Sequence, residues 1–169
     1  RGQVCISDAR ERARQVTRMR TRPRVLAVSS GGGHWAELRR LAPAWEGAQV
    51  VYVTTGVAYA QDVPGADLRT VMDANAKAKL RLMGLALGML WHVLRTRPDV
   101  VVSTGAAPGY FAVRFGKLLG ARTVWLDSIA NAEGISVSGH LARRHCDLWL
   151  TQWPHVAEAT GAAYKGAVM

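Results

Sequence analysis

The residues best suited to chemistry form a short glycine-rich run, Ser29 to His34, between a β-branched segment and a helical pattern. Glycines let a backbone approach a ligand closely, and a helix N-terminus presents unpaired N–H groups and a positive dipole end. The run therefore predicts a phosphate or pyrophosphate site. Its binding residues would be Ser30, Gly31, Gly32 and Gly33. A tight strand-to-helix turn without a ligand is the alternative interpretation.

A second glycine-rich turn, Ser103 to Gly109, also lies between a predicted strand and a predicted helix. Ligands of open α/β sheets bind outside the carboxyl ends of the strands, so both turns could face one cleft. Asp127 would emerge there after the fifth strand. The further candidate binding residues are Thr104, Gly105 and Ser128, and the candidate bases are His34 and Asp127. Capping and ordinary hydrogen bonding are the alternative roles of the two bases.

The glycine run also fits a looser dinucleotide fingerprint, which makes a nicotinamide-dependent oxidoreductase the alternative function. Such an enzyme needs an acidic residue, or an arginine for a phosphorylated cofactor, near the end of the second strand. This chain has Thr54, Thr55 and Gly56 there. No Gly-Lys-Ser/Thr follows the glycines, so the Walker pattern is missing as well. We therefore expect no cofactor.

The two cysteines, Cys5 and Cys146, have neither the number nor the spacing of a zinc site or a disulfide framework. We expect both thiols to be reduced and no metal to be bound.

The elements that must position these residues alternate between β-branched runs and helical patterns, which is typical of a parallel sheet covered by helices. The fold class is α/β, with a Rossmann-like sheet and helices on both faces, and 169 residues suit one domain. The predicted strands are Val25 to Ser29, Val50 to Thr54, Leu68 to Met72, Val100 to Ser103, Thr123 to Asp127 and Leu148 to Thr151.

Three predicted helices lie between these strands. The first carries Trp35, Leu38, Leu41 and Trp45 on one face, and the third starts near Pro108 and ends before Gly120. The middle helix, from Asn75 to Arg97, has an apolar arc too wide for one sheet. Its apolar stretch is shorter than the ~20 residues that span a bilayer. We expect it to be partly core and partly membrane-interface or partner surface; full burial is the alternative.

The formal charge of +10 is concentrated in an arginine-rich arm, residues 1–23, ahead of a single domain, residues 24–169. Clustered arginines attract polyanions, so an anionic membrane surface and nucleic acid both fit; a solvated tail without a partner is the alternative. No aromatic residue lies between Arg10 and Arg24, so we expect no nucleic-acid partner. No apolar segment follows the charges as in a secretory signal, which predicts a cytoplasmic location.

Four motifs resemble a known family. They are Ser30 to His34, Pro98 to Gly105, Trp125 to Ser128 and Thr151 to Pro154. In this order they are similar to the membrane-anchor subunit of the two-part N-acetylglucosaminyltransferase that elongates dolichol-linked sugars, and more so to its bacterial exopolysaccharide counterparts. More distantly, the chain resembles the N-terminal half of the single-chain enzyme that makes lipid II. The likeness runs from Arg24 to Val168.

The resemblance implies an inverting GT-B glycosyltransferase split over two chains. This half would bind the lipid-linked sugar acceptor and the cytoplasmic face of the membrane, peripherally, while a small partner subunit supplies the UDP-sugar site. By position, the glycines would contact the acceptor phosphate, His34 would be a base or orienting residue, and Asp127 would lie beside the acceptor hydroxyl. Several relatives carry Glu at the position of Asp127. We expect Gln152 to Met169 to pack at the sheet edge and help form the partner interface.

Overall fold

The computed structural model describes residues 22–74 and 79–168. Most of the predicted arm, the start of the middle helix at Asn75, and Cys5 lie outside these residues. The domain boundary predicted at residues 23 and 24 therefore stays a prediction.

The described chain folds around one parallel sheet of seven strands in the order β3-β2-β1-β4-β5-β6-β7. All six predicted strands are confirmed, and none of their ends differs from the prediction by more than two residues. The two-residue strand β7 was not predicted, and it places the C-terminal segment at the sheet edge as expected. The bounds are β1 Arg24–Val28, β2 Gln49–Thr54, β3 Asp67–Thr70, β4 Val100–Ser103, β5 Arg122–Leu126, β6 Leu148–Thr151 and β7 Ala163–Tyr164.

The strand order reverses between β1 and β4. The chain runs outward from β1 through β2 to β3 and then returns to place β4 on the other side of β1. Val28 pairs with Ser103, so the carboxyl ends of the two strands lie side by side. Such a reversal leaves a crevice outside the strand ends, where ligands of open α/β sheets bind. The two glycine-rich turns follow these two strands directly.

In the part of the chain that the structure describes, five α-helices connect the strands: α1 Gly33–Arg40, α2 Lys79–Thr96, α3 Ala106–Leu118, α4 Val137–Ala142 and α5 Pro154–Thr160. The first helix is shorter than predicted. It ends at Arg40, and Ala42–Trp45 forms a 3-10 turn instead. Pro43 lacks an N–H group and cannot continue the α-helical hydrogen bonding, which accounts for the difference.

Each face of the sheet has its own core. On one face, Trp35 and Leu38 of α1 pack on Val25 and Ala27 of β1. On the other, α2 and α3 cover a larger cluster that includes Leu85, Val113 and Trp125. This is the Rossmann-like parallel sheet, with helices on both faces, that the sequence predicted.

Helix α2 is buried on one side and apolar on its exposed side. Leu85, Met89 and Val93 are fully buried against the core. At 100° per residue, a second set of apolar residues falls on the opposite side of the helix. Their exposed fractions are 81% for Leu80, 57% for Met83, 61% for Leu87, 60% for Trp91 and 47% for Leu94. The prediction that this helix lies partly in the core is confirmed, and its other side is exposed. The role of the exposed side as a membrane-interface or partner surface stays a prediction. Within residues 22–74 and 79–168, no helix has the length and apolarity needed to cross a membrane.

Candidate acceptor cleft

The glycine-rich run and the second turn are joined by two reciprocal hydrogen bonds. Nδ1 of His34 lies 2.8 Å from the carbonyl oxygen of Thr104. The Thr104 hydroxyl donates in return to the carbonyl oxygen of His34, at 2.7 Å. Thr104 is completely buried, whereas His34 is partly exposed. The two turns therefore meet at the crevice between β1 and β4, as the sequence predicted.

The contact with Thr104 fixes the tautomer of His34. A carbonyl oxygen can only accept, so Nδ1 must carry the proton. In the neutral ring, Nε2 then has the free lone pair. Among the described residues, no group hydrogen-bonds to Nε2. A neutral imidazole with a free Nε2 is the form that can take a proton from a hydroxyl group.

The backbone of the second turn is shaped to accept the imidazole. Gly105 has a φ of 134°, in the left-handed region. A Cβ at this position would also lie 2.6 Å from Cε1 of His34. Gly105 is thus required both by its backbone conformation and by the ring above it. Ala106 has a φ of 62°, which costs an L-residue about 1–2 kcal/mol and marks this turn as strained.

Tyr59 covers one end of the glycine-rich run. The N–H group of Gly32 donates to the Tyr59 hydroxyl at 2.7 Å. A Cβ on Gly31 would lie 2.8 Å from that hydroxyl, and one on Gly56 would lie 2.9 Å from Cε2 of the ring. Gly31 therefore has a structural reason to be glycine, namely the close approach of Tyr59.

The remaining glycines leave the start of α1 open. Gly32, with a φ of 66°, is the N-cap, and no side chain caps the helix. A Cβ on Gly32 or Gly33 would meet no atom within 4 Å. The first N–H groups of a helix have no partner inside it. Those of α1 can therefore receive an anion that approaches over Gly32 and Gly33.

Asp127 lies at the end of β5, where it was predicted, but its carboxylate is 1% exposed and fully hydrogen-bonded. Oδ1 accepts from Nε1 of Trp125 at 3.0 Å and from the Ser136 hydroxyl at 2.6 Å. Oδ2 accepts from Nδ2 of Asn131 at 3.0 Å and from the backbone N–H of Ser136 at 2.9 Å. Four donors occupy the accepting positions of this carboxylate. The arrangement favours holding the 127–136 loop; its role as a base stays a prediction.

Ser128 faces α1 rather than open solvent. Its hydroxyl donates to Oε1 of Glu37 at 2.8 Å, and the backbone N–H of Ile129 donates to the same oxygen at 3.1 Å. Ser30 is partly exposed at the start of the glycine-rich run, and its carbonyl accepts from the Thr54 hydroxyl at 3.3 Å. The predicted site residues thus surround the same end of the sheet.

Sequence reasoning missed Tyr59 and Glu37. Tyr59 lies 27 residues from its partner Gly32 in the chain, so no local pattern connects them. A signal for Glu37 was available, because it is a carboxylate among the buried helix positions Trp35 and Leu38. A charged residue on the core side of a helix is rare and calls for a partner.

No cluster of His, Cys, Asp and Glu that could hold a metal ion is found within the described ranges. Cys146 donates from Sγ to the carbonyl oxygen of Ala142 at 3.1 Å. Burial, reinforced by the neighbouring Asp147 charge, raises the pKa of the Cys146 thiol to about 12. A thiol of this kind stays protonated and unreactive at neutral pH.

Comparison with curated proteins finds two fungal relatives. The chain is 24% identical to the UDP-N-acetylglucosamine transferase subunit ALG14 of Yarrowia lipolytica, over 87% of this chain and 82% of the relative. It is 28% identical to the subunit of the same name from Eremothecium gossypii, over 79% of this chain and 74% of the relative. No family model matches the chain.

Solved structures share the fold at low sequence identity. MurG of Acinetobacter baumannii superposes on 79% of this chain with a TM-score of 0.66 and 13% identity. The UDP-N-acetylglucosamine 2-epimerase of Rickettsia bellii superposes on 88% with a TM-score of 0.66 and 13% identity. The chain spans 43% and 46% of these two structures, respectively. These structures show the fold, and the curated relatives confirm that the chain is similar to the N-acetylglucosaminyltransferase subunits that its four motifs indicated.

Proposed function

We propose that this chain is the acceptor-binding subunit of a two-part glycosyltransferase, which moves a sugar from a UDP-sugar to a lipid-linked pyrophosphate acceptor. The observation that carries the proposal is the His34–Thr104 pair, at 2.8 Å, beside the open N-terminus of α1. It brings a candidate base and a candidate phosphate site together at one crevice. N-Acetylglucosamine is the proposed sugar, because the curated relatives are named for its transfer.

In the proposed reaction, the acceptor phosphate lies over Gly32 and Gly33 and accepts from the N–H groups of the first turn of α1. Nε2 of His34 takes the proton of the acceptor hydroxyl as its oxygen bonds to the anomeric carbon of the donor sugar. The bond from that carbon to the UDP oxygen breaks, and UDP leaves with the bonding electrons. Attack from the face opposite UDP inverts the anomeric centre. The ring is held in the required tautomer by Thr104 throughout.

The donor site belongs to a partner subunit in this proposal. The chain matches less than half of each solved structure compared above.

The chain also has an apolar surface that is available for such a partner. A cavity of about 490 Å³ lies between the sheet and the C-terminal segment, with an apolar lining that includes Val102, Val124, Leu126 and Val168.

The exposed apolar stripe of α2, formed by Leu80, Met83, Leu87, Trp91 and Leu94, supports peripheral attachment to a membrane. The proposal places this attachment on the cytoplasmic face. Apolar side chains of this size on one exposed helix face fit an interfacial helix, which lies in the headgroup region. One apolar signal gives weak binding, so the proposal adds the arginines of residues 1–23 as the second signal, through anionic headgroups.

An oxidoreductase is a weaker reading of the same fold. The residue at the end of β2, where a ribose contact would be needed, is Thr54, which is completely buried and bonded to the carbonyl of Ser30. It offers no carboxylate to a nicotinamide cofactor.

The decisive experiment is co-expression with small α/β proteins encoded beside this chain. Pairs that copurify are tested for release of UDP from UDP-N-acetylglucosamine in the presence of a polyprenyl-pyrophosphate-linked sugar. Acceptor-dependent UDP release by one pair is expected. Reduction of a substrate by NADH or NADPH, without any UDP release, would contradict the proposal.

A further inference from the structure

Glu37 is a buried carboxylate that has no part in the chemistry proposed above. It lies on α1 and is 4% exposed. Oε1 accepts from the Ser128 hydroxyl at 2.8 Å and from the N–H of Ile129 at 3.1 Å. These partners lie more than 90 residues away in the chain. The contact is therefore a tie between α1 and the turn that follows β5.

The two residues joined by this tie, Glu37 and Ser128, lie on opposite sides of the cleft. Glu37 is three residues after His34, close to one helical turn away, so a displacement of α1 moves both. Ser128 follows Asp127, whose carboxylate organises the loop up to Ser136. Glu37 thus links by a direct side-chain contact the helix that carries His34 and the loop that carries Asp127.

One oxygen of the Glu37 carboxylate is bonded and the other, within the described part of the chain, is not. Oε2 of Glu37 is buried, and no group among the described residues bonds to it. A buried polar atom without a partner costs about 1–3 kcal/mol. Replacing a whole buried charge pair by apolar residues is often neutral, but an apolar side chain at position 37 alone would leave the Ser128 hydroxyl and the Ile129 N–H without their acceptor. The chain therefore carries the unpaired Oε2 together with the two hydrogen bonds that join α1 to the turn after β5, which points to a role in the cleft.

We propose that Glu37 is a positioning residue that fixes the distance between His34 and the Asp127–Ile129 turn. The acceptor then lies between α1 and the Asp127–Ile129 turn, and Glu37 keeps the distance between these two elements constant. The inference rests on the proposed function for its catalytic consequence, but the tie itself can be tested without any substrate.

The first test is amide hydrogen exchange of the 127–136 loop in the full chain. Glu37→Met fills nearly the same volume and removes the acceptor oxygens. We expect faster exchange at residues 128–136 in this variant. In Glu37→Gln the amide oxygen can replace Oε1, so near-normal exchange is expected. Glu158→Ala, which removes an exposed carboxylate on α5, is the control. Equal exchange in Glu37→Met and the unmodified chain would overturn the tie.

The second test is transfer from UDP-N-acetylglucosamine to a polyprenyl-pyrophosphate-linked sugar by the assembled pair. Misplacing a reacting group by about 1 Å can cost up to 100-fold in rate. We expect kcat of Glu37→Met to fall about tenfold to 100-fold, with a smaller change in the acceptor KM. Its melting temperature should fall moderately, because the Ser128 hydroxyl and the Ile129 N–H lose their acceptor. Glu37→Gln should restore most of the rate. A rate within twofold of normal for a folded Glu37→Met would overturn the positioning role.

The two failures are distinguishable. If the unmodified pair transfers sugar and Glu37→Met does so equally well, only the role of Glu37 is wrong. If the unmodified pair does not transfer sugar, the proposed function is wrong, whatever the exchange experiment gives. Should Glu37→Met not fold, Glu37→Asp, which shortens the side chain by one methylene group, replaces it in both tests with the same expected outcomes.

Discussion

His34 and Thr104 hold each other through their backbones as well as their side chains. The imidazole donates to the carbonyl of Thr104, and the Thr104 hydroxyl donates to the carbonyl of His34. The first contact sets the ring tautomer, whereas the second fixes only the backbone of the helix start. The two effects can therefore be separated by substitution at different atoms.

Replacing His34 should abolish transfer without unfolding the chain. A general base contributes about 10²–10⁴ to the rate, so a loss of this size in kcat is expected for His34→Ala at saturating acceptor. His34→Asn can still donate to the Thr104 carbonyl but cannot take a proton. We expect it to be as inactive as His34→Ala. The measurement is UDP release by the assembled pair, with circular dichroism to check the fold.

Thr104→Val is the matched control, because it keeps the carbonyl that sets the tautomer and removes only the hydroxyl. A modest loss, well short of that in His34→Ala, is expected. Near-normal turnover of His34→Asn would show that His34 is not the general base.

Much of this fold can be predicted from the sequence, because strands covered on both faces are runs of apolar residues with turns between them. Val100 to Ser103 illustrates this, since its predicted bounds are those of the structure. The strand β7 is two residues long and too short to leave a pattern. In the site, the two glycine-rich turns could be located from the sequence, but the distant side chains that contact the site could not. The ring of Tyr59 above Gly31 and the tie from Glu37 to Ser128 depend on long-range packing, which spacing along the chain does not encode.

A methyl group at Gly109 should destabilise the chain. A Cβ there would lie 1.9 Å from Oγ of Ser103, and that hydroxyl accepts from the N–H of Gly105 in the cleft. Overpacking of this kind costs about 1–3 kcal/mol. Urea unfolding of Gly109→Ala measures it. Gly134→Ala is the control, because a Cβ at Gly134 meets nothing within 4 Å. Adding Ser103→Ala to Gly109→Ala should recover part of the loss; no recovery would contradict the contact.

A charge on the exposed stripe of α2 should weaken membrane binding and spare the fold. Leu87 is 61% exposed, so Leu87→Asp is expected to fold normally and to bind less to vesicles that contain anionic phospholipid. Salt should release the unmodified chain, because the arginines provide part of the attraction. Vesicle cosedimentation measures both effects. Leu141→Asp, at a site on α4 that is 47% exposed, should bind normally. If neither the unmodified chain nor Leu87→Asp binds at low salt, the stripe is not a membrane surface.

The stability of the chain should rise with pH through the titration of His92. Burial of the ring lowers the pKa of His92 below its ordinary value of 6.5, and the Arg69 charge adds to this. Between the folded pKa and about 6.5, the unfolded chain therefore binds more protons. The free energy of unfolding should rise with pH across this window, level off above it, and fall as the pH drops.

His92→Gln should flatten the part of this dependence that His92 contributes. Urea unfolding of both chains at pH 5.5 and pH 7.5 provides the comparison, and subtraction is needed because the pKa of His145 is lowered as well, chiefly by burial. Identical pH dependence in the two chains would mean that His92 titrates alike in the folded and unfolded states.

The isolated chain should neither transfer sugar nor bind a UDP-sugar measurably. The proposed function places the donor site in the second Rossmann-like half of a GT-B enzyme, and the residues that the structure describes form a single sheet. The same proposal gives the open N-terminus of α1 to the acceptor phosphate and the nucleotide to the partner. Isothermal titration of the purified chain with UDP-N-acetylglucosamine and with UDP-glucuronic acid is expected to give no heat of binding at micromolar concentrations. Addition of the partner should restore binding and turnover together. Micromolar binding of either nucleotide sugar with turnover by this chain alone would mean that the donor site lies here, and the division of the enzyme into two subunits would then be wrong.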